Sequence, residues 1–496
     1  MNKKVTEWCL NRGETSISTD KKSKDFATDV LMPEKQRIDD DIDEVFEQLE
    51  GRILNHGLIS PDADLAEDEN VSMDSSTLET EKVQEMQRFT NPRPEEKGPK
   101  RMRPYSTREV GRTALPDDPE WDEILTEEGI EEAEERGITL HQKYEEELDR
   151  VSLSLEFYHN FTLVHDDIND RDDERRTVPT TRINEREKAK ERGLNEDEAA
   201  RHGDNMAMHI GNDLRELATQ TLVDSDFVPE ISEEMQRQLV SAGSRIIDGQ
   251  MKDLTMEHID LDKLFEGEYQ PFTDLMIGDY DTKGELYRDM IDKKTVDLYV
   301  AAVDIGAKAA GLEDNKGYDQ DISEEQRSPR DHMRRFARNM GIPFQIRDDI
   351  NEIRSVSSYT ENGESEGEGI GKAATDIYNG KTTLPVLTAY QNISEEISKI
   401  ESNIEEFDEQ NKVSALQNRK RGLEHEKAMI EGFYGKEDLK EDQVQSVADV
   451  IYKHETASDL YKEKLEDAMY HLDEADLPGD TENLELLAGF MKERNY

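Results

Sequence analysis

The sequence predicts an all-α protein, a large helical bundle interrupted by long acidic inserted loops. Three observations carry that prediction. Apolar residues recur at spacings of three and four, segments with the alternation of a half-buried strand do not stand out, and the patterned stretches are separated by acidic, polar runs rich in turn residues.

Taken in order, residues 1–32 are polar, charged and unpatterned and read as a flexible tail, leaving 33–496 as a single helical domain. After Pro33, the residues Ile38, Ile42, Val45, Phe46, Leu49 and Ile53 form the stripe of a first amphipathic helix. Four acidic stretches then interrupt the pattern, at roughly 59–78, 184–203, 354–371 and 395–445. The third contains ENGESEGEGIG and reads as a loop. The last keeps an apolar spacing of three and four through its charge, which predicts a helical hairpin. Between these runs, VSLSLEFYHNFTLVHDDI and TVDLYVAAVDIGAKAAG are the apolar helices from which a core can be built. In GIPFQIRDDINEI, Pro343 either kinks a helix or begins one.

With 118 acidic against 63 basic side chains, a formal charge of -55 argues against nucleic acid as a partner. Such acidity fits either a disordered chain or a folded one whose carboxylate surface stays hydrated in concentrated salt. The gathering of apolar residues into helical segments favours the second, a halophilic protein. Cys9, the single cysteine, has no partner for an internal disulfide. No run of about 18 apolar residues and no secretion signal is seen, so the expected location is cytoplasmic, without an integral membrane segment.

The chemistry concentrates in HDDINDRDDERR. Asp166 and Asp170 lie four apart and Asp173 three further on, so a helix would stack their carboxylates on one side. Stacked carboxylates repel unless a cation neutralises them. Mg2+ prefers oxygen ligands and commonly bridges one or two carboxylates to substrate phosphates, and Arg175 and Arg176 follow directly as phosphate ligands. One such cluster could be an acidic face in an acidic protein. A second, Asp348, Asp349 and Glu352, also ends an apolar helix.

From about residue 35 onward the chain resembles the polyprenyl synthetase family, the trans-isoprenyl diphosphate synthases. GPKRMRP at 98–104, LEFYHNFTLVHDDINDRDDERR, DKKTVDL, FQIRDDINE and GKAATDIYNGKTTLP are similar, in order, to that family's motifs. The resemblance implies a bundle of the isoprenoid synthase type, a homodimer, and head-to-tail condensation of isopentenyl diphosphate with an allylic diphosphate. It also implies that Asp166, Asp167, Asp170 and Asp348 hold three Mg2+ ions on the allylic diphosphate, with Asp349 and Glu352 in support. Arg175, Lys294, Lys372 and Lys381 complete that cage, while Lys100, Arg101, His159 and Arg176 grip isopentenyl diphosphate and Arg103 orients the loop. Thr295 and Gln345 turn oxygens toward the allylic cation.

Phe161 stands five residues before Asp166, where the resemblance places the wall that meets the growing tail, with Thr162 beside it. That pattern resembles archaeal enzymes making geranylgeranyl diphosphate; farnesyl diphosphate and longer products stay open. So do a class I terpene cyclase, which needs no second diphosphate site, and a non-catalytic synthase subunit. The pattern departs from the family at Glu352, where an aspartate is usual, at Gly98-Pro99 and at Gly211-Asn212.

Overall fold

Helices make up nearly all of the described chain. The computed structural model describes residues 26–56, 75–92, 99–175, 178–256, 289–314, 323, 326–357, 377–378, 380, 383–406, 410–436 and 439–493, with the side chains of some helix residues, Glu352 among them, outside the described set. A π-helical turn, Ala27–Leu31, leads into α1 (Met32–His56), which packs on α2 (Ser75–Thr90). Then come α3 (Met102–Ala114), α4 (Glu127–Arg136) and α5 (Leu140–Asn169). The strands named among the described residues are a two-residue antiparallel hairpin, β1 (Glu174–Arg175) and β2 (Val178–Pro179). Beyond it lie α6 (Thr181–Glu191), α7 (Glu196–Val223) and α8 (Pro229–Met256).

The core centres on α9 (Asp297–Ala309), every residue of which is buried. This helix packs against α3, α5, α8 and α10 (Pro329–Val356). Gly306 permits the closest of these approaches, because a Cβ there would sit 2.3 Å from the carbonyl oxygen of Thr107 on α3. Asp304, buried in the middle of α9, is answered from α10 by Arg330 at 2.8 Å and Arg334 at 2.6 Å, which supplies the pairing a buried carboxylate requires. A second, smaller apolar cluster joins the end of α10 to α11 (Leu384–Glu406), α12 (Gln410–Phe433) and α13 (Glu441–His454). Two final helices, α14 (Ala457–Glu474) and α15 (Glu482–Glu493), return to α10.

Several expectations need correction. Phe26 and Leu31 are buried, Phe26 packing edge-on against Tyr105 and Phe490, so the described end of the expected tail belongs to the core. The acidic stretch 184–203 is not a loop but most of α6 and the start of α7. A reciprocal cap between Asn195 and Glu198 starts α7, and the Glu185–Lys188 and Glu187–Lys190 pairs brace α6. Pro343 lies inside a continuous α10. The hairpin expected within 395–445 is present as α11 and α12; most of the loop at 354–371 lies outside the described residues.

Candidate active site

The thirty residues of α5 begin with a reciprocal cap between Thr139 and Gln142 and bury Leu148, Val151, Leu155, Phe157, Phe161 and Val164. That buried face fixes the helix in register and delivers Asp166, Asp167 and Asp170 to its last turn. A helix C-terminus carries partial negative charge, so three carboxylates there are an unfavourable arrangement that calls for cations. The helix stops at Asp170, whose N–H donates to Asp166, and Arg171 adopts a left-handed φ of 58°. Asp173 is therefore off the helix, contrary to its expected place in the stack. It is exposed and paired with Arg182 at 3.2 Å.

The β1–β2 hairpin brings Arg175 back over the helix end. Its guanidinium reaches Oδ1 of Asp167 at 2.7 and 2.6 Å. Asp167 is almost fully enclosed, and burial pushes its carboxyl up to about 6 in spite of Arg175. Its Oδ2 is buried and has no hydrogen-bond partner among the described residues.

Opposite stands a π-helical turn, Asp292–Val296, which runs into α9. Gly249 on α8 lets this turn approach closely, since a Cβ there would lie 2.4 Å from the Lys294 nitrogen. From the turn, Lys294 Nζ lies 2.5 Å from Asp253 and 3.4 Å from Asp166. Thr295 donates its hydroxyl to Gln345 Oε1 at 3.1 Å, and Gln345 donates through Nε2 to Asp349 at 2.8 Å. Two strings of side chains thus start from neighbouring residues of the π turn, Lys294 reaching the first aspartate cluster on α5 and Thr295, through Gln345, the second on α10. Asp349 is buried and Asp348 exposed at the same level of α10.

Other expected residues are placed differently. The Arg101 side chain is fully enclosed, pairing with Asp39 at 2.7 Å and Glu156 at 2.6 Å and donating to the Thr90 carbonyl and to Asn91. Its guanidinium ties α1, α2 and α5 together, which corrects its expected role as a diphosphate ligand. Lys100, one residue earlier, is exposed. Of the same motif, Arg103 stands on the first turn of α3. His159 and Thr162 lie along α5, the Thr162 hydroxyl bonding back to the His159 carbonyl. Phe161 is buried against Tyr158 and His165, with the Arg215 guanidinium 5.7 Å from its ring centre. Arg176, Lys372 and Lys381 lie outside the described residues, as does the Glu352 side chain. Asp253 was missed in the sequence; in a chain with 118 acidic residues a solitary aspartate carries no signal.

Among the described residues no three carboxylate or imidazole groups converge on one point as a preformed cage. The donors still fit a hard divalent cation. Oxygen ligands crowd a negative helix end, one buried carboxylate oxygen has no partner, and Mg2+ characteristically completes its shell with water and phosphate.

The polyprenyl synthetase family model matches residues 96–419. Among curated proteins, the chain is 28% identical over 254 residues to a short chain isoprenyl diphosphate synthase of Methanocaldococcus jannaschii, covering 51% of this chain and 59% of the relative. It is 27% identical over 242 residues to a geranylgeranyl diphosphate synthase of Methanosarcina mazei (49% and 56%), and 31% identical over 243 to a geranylfarnesyl diphosphate synthase of Aeropyrum pernix (48% and 58%). These alignments span somewhat over half the length of each relative. Among solved structures, a Corynebacterium glutamicum geranylgeranyl pyrophosphate synthase complexed with isoprenyl diphosphate and magnesium shares the fold at TM-score 0.60 and 18% identity, over 93% of this chain and 98% of that one. A Pyrococcus horikoshii geranylgeranyl pyrophosphate synthetase does so at 0.54 and 21%, over 93% and 100%. With the family's model matched over more than half of its residues and the family's fold around two aspartate clusters, this chain belongs to the polyprenyl synthetase family.

Proposed function

We propose that this protein is a trans-prenyltransferase that condenses isopentenyl diphosphate head to tail with an allylic diphosphate and releases geranylgeranyl diphosphate. The observation that supports it best is the π turn between the two aspartate clusters, from which Lys294 reaches Asp166 and Thr295 reaches Asp349 through Gln345. Ionisation breaks the allylic C–O bond and leaves negative charge on the departing diphosphate and positive charge on carbon. Lys294 and Arg175 stand at the first cluster, where cations counter the diphosphate. The Thr295 and Gln345 oxygens, hydrogen-bonded to each other, stabilise the carbocation. Lys100, His159 and Arg176 hold isopentenyl diphosphate and Arg103 orients the loop; the double bond of isopentenyl diphosphate attacks the cation, and the released diphosphate takes up the proton lost as the new double bond forms.

Asp166, Asp167, Asp170 and Asp348 would hold Mg2+, Asp167 through its unpartnered Oδ2, with Asp349 and Glu352 in support. The metal supplies Lewis-acid neutralisation of the diphosphate. Asp167 keeps Arg175 aimed at that position.

The relatives are named for products of different lengths, so twenty carbons rests on the pattern of Phe161 with Thr162 beside it. We read the enzyme as a cytoplasmic homodimer of a high-salt cell. Val240, Ile247 and Met251 are exposed at spacings of seven and four on α8, and Met208 is exposed on α7, an apolar face suited to a second copy. No helix among the described residues is long and apolar enough to cross a membrane.

The test is to incubate the purified protein in concentrated KCl and Mg2+ with isopentenyl diphosphate and each of dimethylallyl, geranyl and farnesyl diphosphate, then size the dephosphorylated products. A twenty-carbon alcohol is the expected outcome. A cyclic hydrocarbon formed without isopentenyl diphosphate would replace this reading with a cyclase, and a folded protein making no product from any primer would replace it with a non-catalytic subunit.

A further inference from the structure

The wall at Phe161 has a second layer, and that layer is charged. Phe161 comes from α5 and is 5% exposed. Tyr158 meets its ring edge-on at 5.2 Å and His165 at 4.7 Å, both from the same helix. A neighbouring helix supplies Arg215 of α7, whose guanidinium carbon lies 5.7 Å from the ring centre. The Arg215 side chain is 39% exposed and hydrogen-bonds Glu216 at 2.9 Å, so it is hydrated on one side and faces an aromatic group on the other.

We propose that Arg215 is a specificity-determining residue, an electrostatic stop behind Phe161 that limits the length of the prenyl tail. The inference rests on the reading of Phe161 as the wall a growing tail meets. An aromatic ring alone is a steric stop, and truncating it would hand its volume to the tail. Here the vacated space has a guanidinium at its back. A tail entering it would strip water from the ring-facing side of a permanent cation and return only hydrocarbon contacts, a desolvation that nothing in the tail offsets. Removing the ring should therefore gain little length while the charge remains.

Lysine keeps the charge and much of the length, whereas methionine keeps apolar bulk without charge. The experiment compares Phe161→Ala, Phe161→Ala/Arg215→Lys and Phe161→Ala/Arg215→Met by product size in concentrated KCl. It also measures the binding of synthetic geranylgeranyl and geranylfarnesyl diphosphate to each variant, a readout that does not need turnover. The expected result is that Phe161→Ala and the lysine variant keep a twenty-carbon main product and bind the longer ligand at least tenfold more weakly than the shorter. The methionine variant should shift its main product to twenty-five carbons or beyond and bind both ligands alike. If Phe161→Ala alone lengthens the product as far as the methionine variant, the role of Arg215 is overturned while Phe161 stands. If no variant changes product length or the ligand preference, both the wall and the stop are overturned. Failure of the wild type to bind either prenyl diphosphate would overturn the underlying function together with this inference.

Discussion

Arg101 and Lys294 show how two cations of similar appearance in a sequence acquire opposite tasks. Arg101 is enclosed and spends its donors on Asp39, Glu156, Thr90 and Asn91. Replacing it with Met leaves two carboxylates without their cation, which costs about 3–5 kcal/mol. Urea unfolding of Arg101→Met should show that loss, while the KM for isopentenyl diphosphate of the folded fraction stays at the wild-type value; an intact fold with a raised KM would restore the diphosphate-ligand role. Lys294 instead faces two carboxylates at the edge of the site. Lys294→Met should keep its helical circular dichroism and lose roughly 10²–10³-fold in kcat, the scale for removing one electrostatic stabiliser. Lys294 was singled out by the resemblance of DKKTVDL to a family motif, and it lies 3.4 Å from Asp166. Nothing in GPKRMRP distinguishes a guanidinium that faces solvent from one that faces inward, because that depends on Asp39 and Glu156, which are remote in the chain.

Among the elements, α5 and α10 were legible because each carries an apolar stripe that ends in carboxylates. By contrast, α6 and the start of α7 were read as loop because few apolar residues were counted as no helix. Their stability comes from caps, ion pairs and the packing of α6 against α7, with only a few residues such as Glu185, Ala189 and Ala199 buried. The packing of α10 on α14 was not legible at all, and it hides a titratable pair: His332 and His471 share a hydrogen bond between their Nδ1 atoms at 3.1 Å. Burial, reinforced by His332, Arg327, Arg335 and Lys464, lowers the His471 imidazole from 6.5 to about 3. The unfolded chain takes up a proton below about 6.5 and the folded one only near 3, so this contribution to stability is intact above 6.5 and is lost as the pH falls between those values. The slope approaches ~1.4 kcal/mol per pH unit. Thermal unfolding between pH 7.5 and 5 should show a drop in Tm that is shallower in His471→Asn. Equal slopes in the two proteins would dismiss the pair as a source of acid sensitivity.

At the scale of the whole molecule the net charge of -55 dominates. Buried ion pairs such as Asp304 with Arg330 and Arg334 shield the interior from it, but the excess acids repel one another over a Debye length that grows from about 3 Å at 1 M salt to about 30 Å at 0.01 M. Tm should therefore climb steadily as KCl is raised from 0.05 to 2 M, and the protein should lose helix on dialysis into dilute buffer. A flat profile would remove the halophilic reading. This expectation rests on composition alone. Composition could not reveal that the acidic 395–445 region closes a second apolar cluster with the end of α10, since that requires knowing which helices meet.

The π turn at Asp292–Val296 has a consequence for how the chain can change. One extra residue in a turn sets the helix after it about 100° out of phase with the helix before it. The two sides of the turn are then separately addressable. Within the turn, Lys293 and Lys294 face the polar groups on α8 and α5; downstream, α9 follows the phase of the core. Deleting a single residue within the turn would merge the two phases while leaving nearly every apolar side chain in the sequence. The resulting protein would face a choice of frame, keeping either its packing or its lysine in place but not both.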